Sequence, residues 1–214
     1  MLSPAAPTHS PSHSPSDDRE LPVVEIFHSI QGEGLWSGVS AFFIRLAGCD
    51  VGCPWCDTKQ SWHRHYPYQS VDQLAAAAQA ARPHIVVITG GEPLMHNLQA
   101  LTEALKRNGL RIHLETSGAH PLSGKFDWVA LSPKPFKPPV PDIYPYVNEL
   151  KVVIAQPQDF EWAEFQAAQV PPDAVKLLQP EWNTPASRGQ IFNYVLQHPD
   201  WRVSLQTHKF LEVR

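Results

Sequence analysis

Cys49, Cys53 and Cys56 are the three cysteines of the chain, and they stand within the eight residues CDVGCPWC. Three thiolates in one loop can hold a metal centre, but they fall one short of the four ligands that an iron–sulfur cluster or a structural zinc takes. A cluster on three cysteines leaves one iron open, and an open iron is where a small molecule can bind and react. Three readings stand at this point: an open iron–sulfur site, a zinc completed by His63 or His65, and three unrelated thiols. Zinc sites pair two short ligand hairpins, and the second hairpin is missing here. A disulfide framework does not suit an odd number of cysteines at so tight a spacing.

Other polar motifs can serve such a centre. The run 89–93 (TGGEP) has two positions without Cβ, where a ligand's charged end can approach the main chain. Run 115–118 (ETSG) supplies hydroxyls suited to an amino-acid carboxylate or a ribose, and run 132–134 (SPK) adds a hydroxyl and a cation. TGGEP also reads as a plain glycine turn, ETSG as a satisfied strand-end turn, and Lys134 as a solvated lysine on a loop. Gln31, Glu33 and Arg45 form a polar group near the first strands. Arg45 alternates with apolar residues, so it points inward, either to a substrate carboxylate or to an internal salt bridge. Asp57 and Thr58 directly follow the last cysteine. The Thr58 hydroxyl can ligate Mg²⁺ or cap the next turn. Trp55 can shield a cluster, stack on an adenine or anchor the loop.

Apolar runs fit to position these groups recur at 23–28, 41–46, 85–89, 111–115, 128–131, 149–154, 175–178 and 202–205. Such continuous runs read as strands buried on both faces of a parallel sheet. Helical patterns at 70–81, 97–108, 160–168 and 184–197 alternate with them, the first opened by a Ser70–Gln73 capping box and the second stopped by Gly109. The alternation predicts an α/β fold with right-handed crossovers, an incomplete, shortened parallel (β/α)6-type barrel. The proline-rich run 132–146 predicts an irregular crossover without a full helix. The cysteine loop, TGGEP, ETSG, SPK and Gln179-Pro180 all then follow strand C-termini. That edge carries the active site in parallel α/β folds.

Residues 1–20 are rich in Ser, Pro and His, and are expected to be a disordered tail before one domain spanning 21–214. The net charge of −4 argues against nucleic-acid binding. The absence of a long apolar run argues against a membrane span, and the cysteine usage suggests a reducing cytoplasm.

With the motifs in place, the chain resembles the radical S-adenosylmethionine superfamily. The spacing Cys49-x3-Cys53-x2-Cys56 is similar to its cluster signature, and TGGEP to its companion motif. Within it, run 31–34 (QGEG), Arg45, Cys56-Asp57-Thr58, SPK and run 206–209 (QTHK) resemble the 7-carboxy-7-deazaguanine synthase family. The resemblance covers roughly residues 22–214. It implies a radical lyase that converts 6-carboxy-5,6,7,8-tetrahydropterin to 7-carboxy-7-deazaguanine with loss of ammonia, in queuosine and 7-deazapurine biosynthesis. It also implies a [4Fe–4S] cluster on Cys49, Cys53 and Cys56, Mg²⁺ on Thr58, an external flavodoxin- or ferredoxin-like electron donor, and a homodimer. S-adenosylmethionine is expected against Trp55, Cys56, Asp57, Gly91, Ser132, Pro133, Lys134 and Gln179. Substrate is expected against Ile30, Gln31, Gly32, Arg45 and Thr89, with the terminal carboxylate of Arg214 closing its pocket. Two alternatives remain: an activase that installs a glycyl radical on a partner, which shares the cysteine motif, and a non-enzymatic zinc-binding module.

Overall fold

The computed structural model describes residues 19–63 and 65–214. The expected tail therefore lies outside the described residues, except for its last two positions. The strands are β1 (Glu20–Ile30), β2 (Ser40–Leu46), β3 (Tyr68–Ser70), β4 (Ile85–Gly90), β5 (Ile112–Thr116), β6 (Trp128–Leu131), β7 (Glu149–Ile154), β8 (Val175–Pro180) and β9 (Trp201–Val203). The helices are α1 (Val71–Ala81), α2 (Gln99–Arg107), α3 (Gln158–Ala167), α4 (Ala186–Gln197) and α5 (Thr207–Phe210).

All nine strands form one sheet, in the order β3-β1-β2-β4-β5-β6-β7-β8-β9. From β2 onward, each neighbouring pair is parallel. β1 runs antiparallel to both β2 and β3, which makes it longer than the apolar run 23–28 suggests. Its first residues pair with β3 and the rest with β2, so partners on two sides extend it. The outermost strands β3 and β9 do not pair with each other, and the barrel stays open.

Strand alternation gives this curved sheet two different faces. Phe42, Ile44, Leu46, Val86, Ile88, Ile112, Leu114, Leu150, Val152 and Leu178 join Leu74, Leu101, Leu105, Ala163 and Ile191 of the helices in one large core. Burying each such side chain contributes about 1.5–3 kcal/mol. The opposite face begins with a small apolar layer of Phe43, Ile85 and Val87, against Phe27 and Trp36. Further along the strands it turns polar.

Among the described residues, α1 is the α-helix with a side-chain N-cap. Both bonds of the Ser70–Gln73 capping box form at the start of α1. Among the described residues no α-helix joins β5 to β6. The β6–β7 crossover holds only a six-residue 3-10 turn, Pro141–Tyr146, in keeping with its prolines. That side of the barrel is consequently thin.

Candidate active site

The polar part of the inner face lines one cavity of about 670 Å³. Its walls bring together the cysteine loop after β2, the glycine loop after β4, the strand ends of β5, β6 and β8, the QGEG turn after β1 and the segment around α5. This is the C-terminal edge of the parallel strands, where open α/β sheets gather their ligands.

All three cysteines line the cavity as free, half-buried thiols. Burial pushes the Cys53 thiol up, with the Lys134 charge working against that shift and the two other cysteines adding to it. Among the described residues, no three His, Cys, Asp or Glu side chains already converge at metal-ligand spacing. The donor set itself fits a three-thiolate cluster. Three thiols share one opening, and neither His63 nor His65 lines it, so the fourth ligand that zinc would need is not supplied from there. Gly91 lets the cysteine loop sit this close: a Cβ there would stand 2.2 Å from the Gly48 carbonyl oxygen and 2.8 Å from Cys49 Cβ. The glycine pair of TGGEP thus first serves chain-to-chain packing, although Gly91 also borders the cavity.

Glu92 joins two loops. It is 1 % exposed and accepts from Thr116 Oγ1 at 2.6 Å, from Ser117 N at 2.8 Å and from Ser117 Oγ at 2.5 Å, as well as from Leu94 N at 3.0 Å. The hydroxyls of ETSG therefore donate to a neighbouring carboxylate, the satisfied strand end that was one of their two readings, while both residues still border the cavity. A buried carboxylate requires such donors, and these two hydroxyls are the ones within reach.

At the base of the cavity Gln31, Glu33, Glu115 and Gln206 meet in a network whose centre, Lys151, the sequence reading missed. Lys151 on β7 is 4 % exposed, with Nζ 2.6 Å from Glu33 Oε2 and 3.0 Å from Glu115 Oε2. Gln206 Nε2 donates to Glu33 Oε1 at 2.7 Å, and Gln31 Nε2 to Glu115 Oε1 at 3.0 Å. Burial works to raise the Glu33 carboxyl, but Lys151, Gln206 and His208 override it and bring it to about 2. Glu115 moves the other way, raised by burial and by the Glu33 charge against the pull of Lys151. Burial also disfavours the Lys151 charge, yet Glu115, Glu33 and Glu149 raise its pKa and keep it protonated.

The remaining site residues fall as follows. Ile30, Gln31, Gly32, Arg45, Thr89 and Arg214 line the cavity, as do Trp55, Cys56, Asp57, Gly91, Ser132, Lys134 and Gln179. Pro133 does not: its carbonyl accepts from the Trp162 indole at 3.4 Å, away from the opening. Arg45 donates through Nε to Glu25 at 2.9 Å, the internal pair that was one of its two readings, while still bordering the cavity. Arg214 turns its main-chain oxygen to Ser29 Oγ at 2.6 Å, and its guanidinium joins Glu25 at 3.2 Å. Lys134 is buried, which lowers its pKa, and its Nζ donates to the carbonyl and hydroxyl of Ser132. Thr58 precedes the 3-10 turn Lys59–Trp62 without capping it through its side chain, so its hydroxyl is not spent there. Trp55 packs edge-on to Phe136 at 5.8 Å.

Lys209 Nζ lies 3.0 Å from Asp57 Oδ2 and also sits over the ring of Trp182. Trp182 lines the cavity with His208 and Lys209. Thr207 N donates to the Gly32 carbonyl at 2.8 Å, and Gly34 N to Ser204 Oγ at 3.0 Å. These bonds strap the C-terminal segment across the open side of the barrel. A Cβ on Gly32 would stand 2.0 Å from His208 Nδ1, so the strap requires glycine at that position.

An open parallel half-barrel with a three-thiol loop over its strand ends defines a radical-generating iron–sulfur enzyme, and residues 43–140 match the Radical SAM superfamily. A 7-carboxy-7-deazaguanine synthase of Synechocystis sp. is 59 % identical over 90 % of this chain and 93 % of its own. Another from Escherichia coli K12 is 34 % identical over 91 % and 99 %. The crystal structure of QueE from Escherichia coli superposes with a TM-score of 0.81 at 32 % identity, covering 92 % of this chain and all of that one. The chain belongs to the 7-carboxy-7-deazaguanine synthase family.

Proposed function

We propose that this chain is a carbon–nitrogen lyase that converts 6-carboxy-5,6,7,8-tetrahydropterin to 7-carboxy-7-deazaguanine with loss of ammonia, on the route to queuosine and related 7-deazapurines. One observation carries the reading beyond family membership: a single cavity is lined both by three free thiols and by a buried acid–base network. A radical source and a place to grip a polar heterocycle thus share one cavity. The glycyl-radical activase and the zinc module gain no feature of their own from this arrangement.

Cys49, Cys53 and Cys56 would hold a [4Fe–4S] cluster, which together with S-adenosylmethionine supplies the radical that starts the reaction. The residues around them have separable tasks. Lys134, a buried cation whose nearest donor contacts are to Ser132, suits the carboxylate of S-adenosylmethionine. Trp55 offers a flat face, and Asp57 and Gln179 offer acceptors beside it. Arg45, held through Nε by Glu25, keeps further guanidinium donors for the substrate carboxylate. Glu33, Glu115 and Gln31 accept from or donate to the pterin edge. The Thr58 hydroxyl suits Mg²⁺ completed by substrate oxygens and water.

The same reading carries a flavodoxin- or ferredoxin-like donor, a homodimer and a cytoplasmic setting. Among the described residues no helix is long and apolar enough to cross a membrane. The test is direct. Anaerobically reconstituted, reduced protein is given S-adenosylmethionine and the carboxytetrahydropterin, and the product is followed by mass. A mass matching 7-carboxy-7-deazaguanine is expected. Cleavage of S-adenosylmethionine without that product would overturn the substrate assignment.

A further inference from the structure

Lys151 lies outside the strand-end loops that carry the cysteines and the other motifs. It stands within β7 between Leu150 and Val152, whose side chains enter the helix-side core, so alternation turns Lys151 toward the cavity. Its Nζ bridges one oxygen of Glu33 at 2.6 Å and one of Glu115 at 3.0 Å. The second oxygen of each carboxylate is held by a glutamine amide, Gln206 for Glu33 and Gln31 for Glu115. A carboxylate has about four lone-pair positions, and two on each are used here. The trio carries a net charge of −1 and borders the cavity at all three residues.

We infer that Lys151 is a positioning residue that holds Glu33 and Glu115 as a paired acceptor for the N–H-rich edge of a flat heterocycle. This rests on the proposed function and deepens it. A pterin presents an exocyclic 2-amino group beside a ring N–H, two donors on one edge. Two carboxylates without a shared cation repel, and one takes up a proton and becomes a donor. With the cation between them, both stay acceptors at a fixed spacing, and an edge that carries acceptors instead is refused. The other charged groups nearby cannot replace it. Glu149, two residues back on β7, adds negative charge, His208 acts on Glu33 alone, and Lys134 donates to Ser132 instead. Arg45 is committed to Glu25 through Nε.

The experiment compares the affinity of anaerobically reconstituted protein for 6-carboxypterin and for its 2-desamino counterpart, read by quenching of ligand fluorescence without turnover. The unaltered protein is expected to prefer the amino compound by about 10–100-fold, the worth of a hydrogen bond to a charged acceptor. Lys151→Met is expected to bring the ratio to within about three-fold. A ratio unchanged in Lys151→Met would overturn the inference. If Lys151→Met does not fold, Glu115→Gln is compared with Lys151→Met/Glu115→Gln, which keeps the trio at −1. The double variant should bind 6-carboxypterin about five-fold or more weakly than the single one, because Glu33 has lost its anchor. Equal affinities would overturn the inference. Product formation by unaltered protein that shows no preference for the amino group sinks this inference and leaves the proposed function intact. Failure both to bind 6-carboxypterin and to form product sinks the function, and the inference with it.

Discussion

The rim of the cavity and its base are built on opposite principles. The rim's three thiols come from one short loop, are partly exposed, and do not converge at metal-ligand spacing among the described residues. At the base, Glu33, Glu115, Lys151, Gln31 and Gln206 come from separate strands and turns, yet every one is tied to another within about hydrogen-bond reach. A cluster brings its own bonding energy and can pull its ligands in, so the rim needs little order beforehand. A neutral or singly charged substrate brings no such energy, and acceptors that are already fixed lower the cost of ordering on binding.

The largest test of that contrast is Cys53→Ala. It should abolish the iron–sulfur absorbance and all S-adenosylmethionine cleavage, yet leave binding of 6-carboxypterin within about three-fold, since a partly exposed thiol does not support the base. Loss of pterin binding along with the cluster would show that rim and base are one unit.

Glu92→Ala comes next, because this residue joins the glycine loop to the end of β5. It strands several buried donors, at about 1–3 kcal/mol each when unsatisfied, so thermal stability should fall by about 3 kcal/mol or more. Glu92→Gln should lose less. A melting curve unchanged in Glu92→Ala would remove the bridge from the account.

Glu149 tests the layer beneath the base. It accepts from Leu35 N at 3.1 Å and from Trp128 Nε1 at 3.2 Å, while its Oε1 has no hydrogen-bond partner. Burial raises its carboxyl to about 7, with Glu115 adding to the shift against the pull of Lys151. A carboxyl raised above its unfolded value of 4.5 stabilises the fold when protonated. That contribution is fully present below pH 4.5 and is lost as pH rises through about 7. Glu149→Gln should therefore flatten the fall in stability across this window, by on the order of 2–3 kcal/mol at its upper end. An identical pH profile in the variant would rule the group out.

Lys209→Ala should have the smallest effect. Its pair with the half-exposed Asp57 is worth less than about 1 kcal/mol to stability. Any change should fall on KM rather than on the melting temperature, and a large drop in melting temperature would mean that the strap supports the fold.

The same contrast explains what could be read from the chain. Cys49, Cys53 and Cys56 are legible because local spacing alone brings them to one loop. The sheet was legible because runs such as Ile85–Gly90 are apolar on both faces, and the thin side because of prolines between β6 and β7. Lys151 was not, since a lysine inside ELKVVI looks like one polar break in a strand. Only the fold sets it against Glu33 and Glu115, 118 and 36 residues away. One signal was present: in a strand otherwise buried on both faces, a lysine must find an anion. The bonds from the ETSG hydroxyls to Glu92 were hidden for the converse reason, since that carboxylate belongs to a different motif. Pro133 was carried by its place between Ser132 and Lys134, and does not itself border the cavity.

The strap over the open barrel also bears on the order of folding. Its bonds to the QGEG turn join residues 170 to 175 positions apart, so they close very long loops. Loop closure must be met before such contacts reward it, whereas the pairing of β2 with β4 and the cysteine loop between them are more local. The thiols are thus in place while the vessel around them is still unlidded.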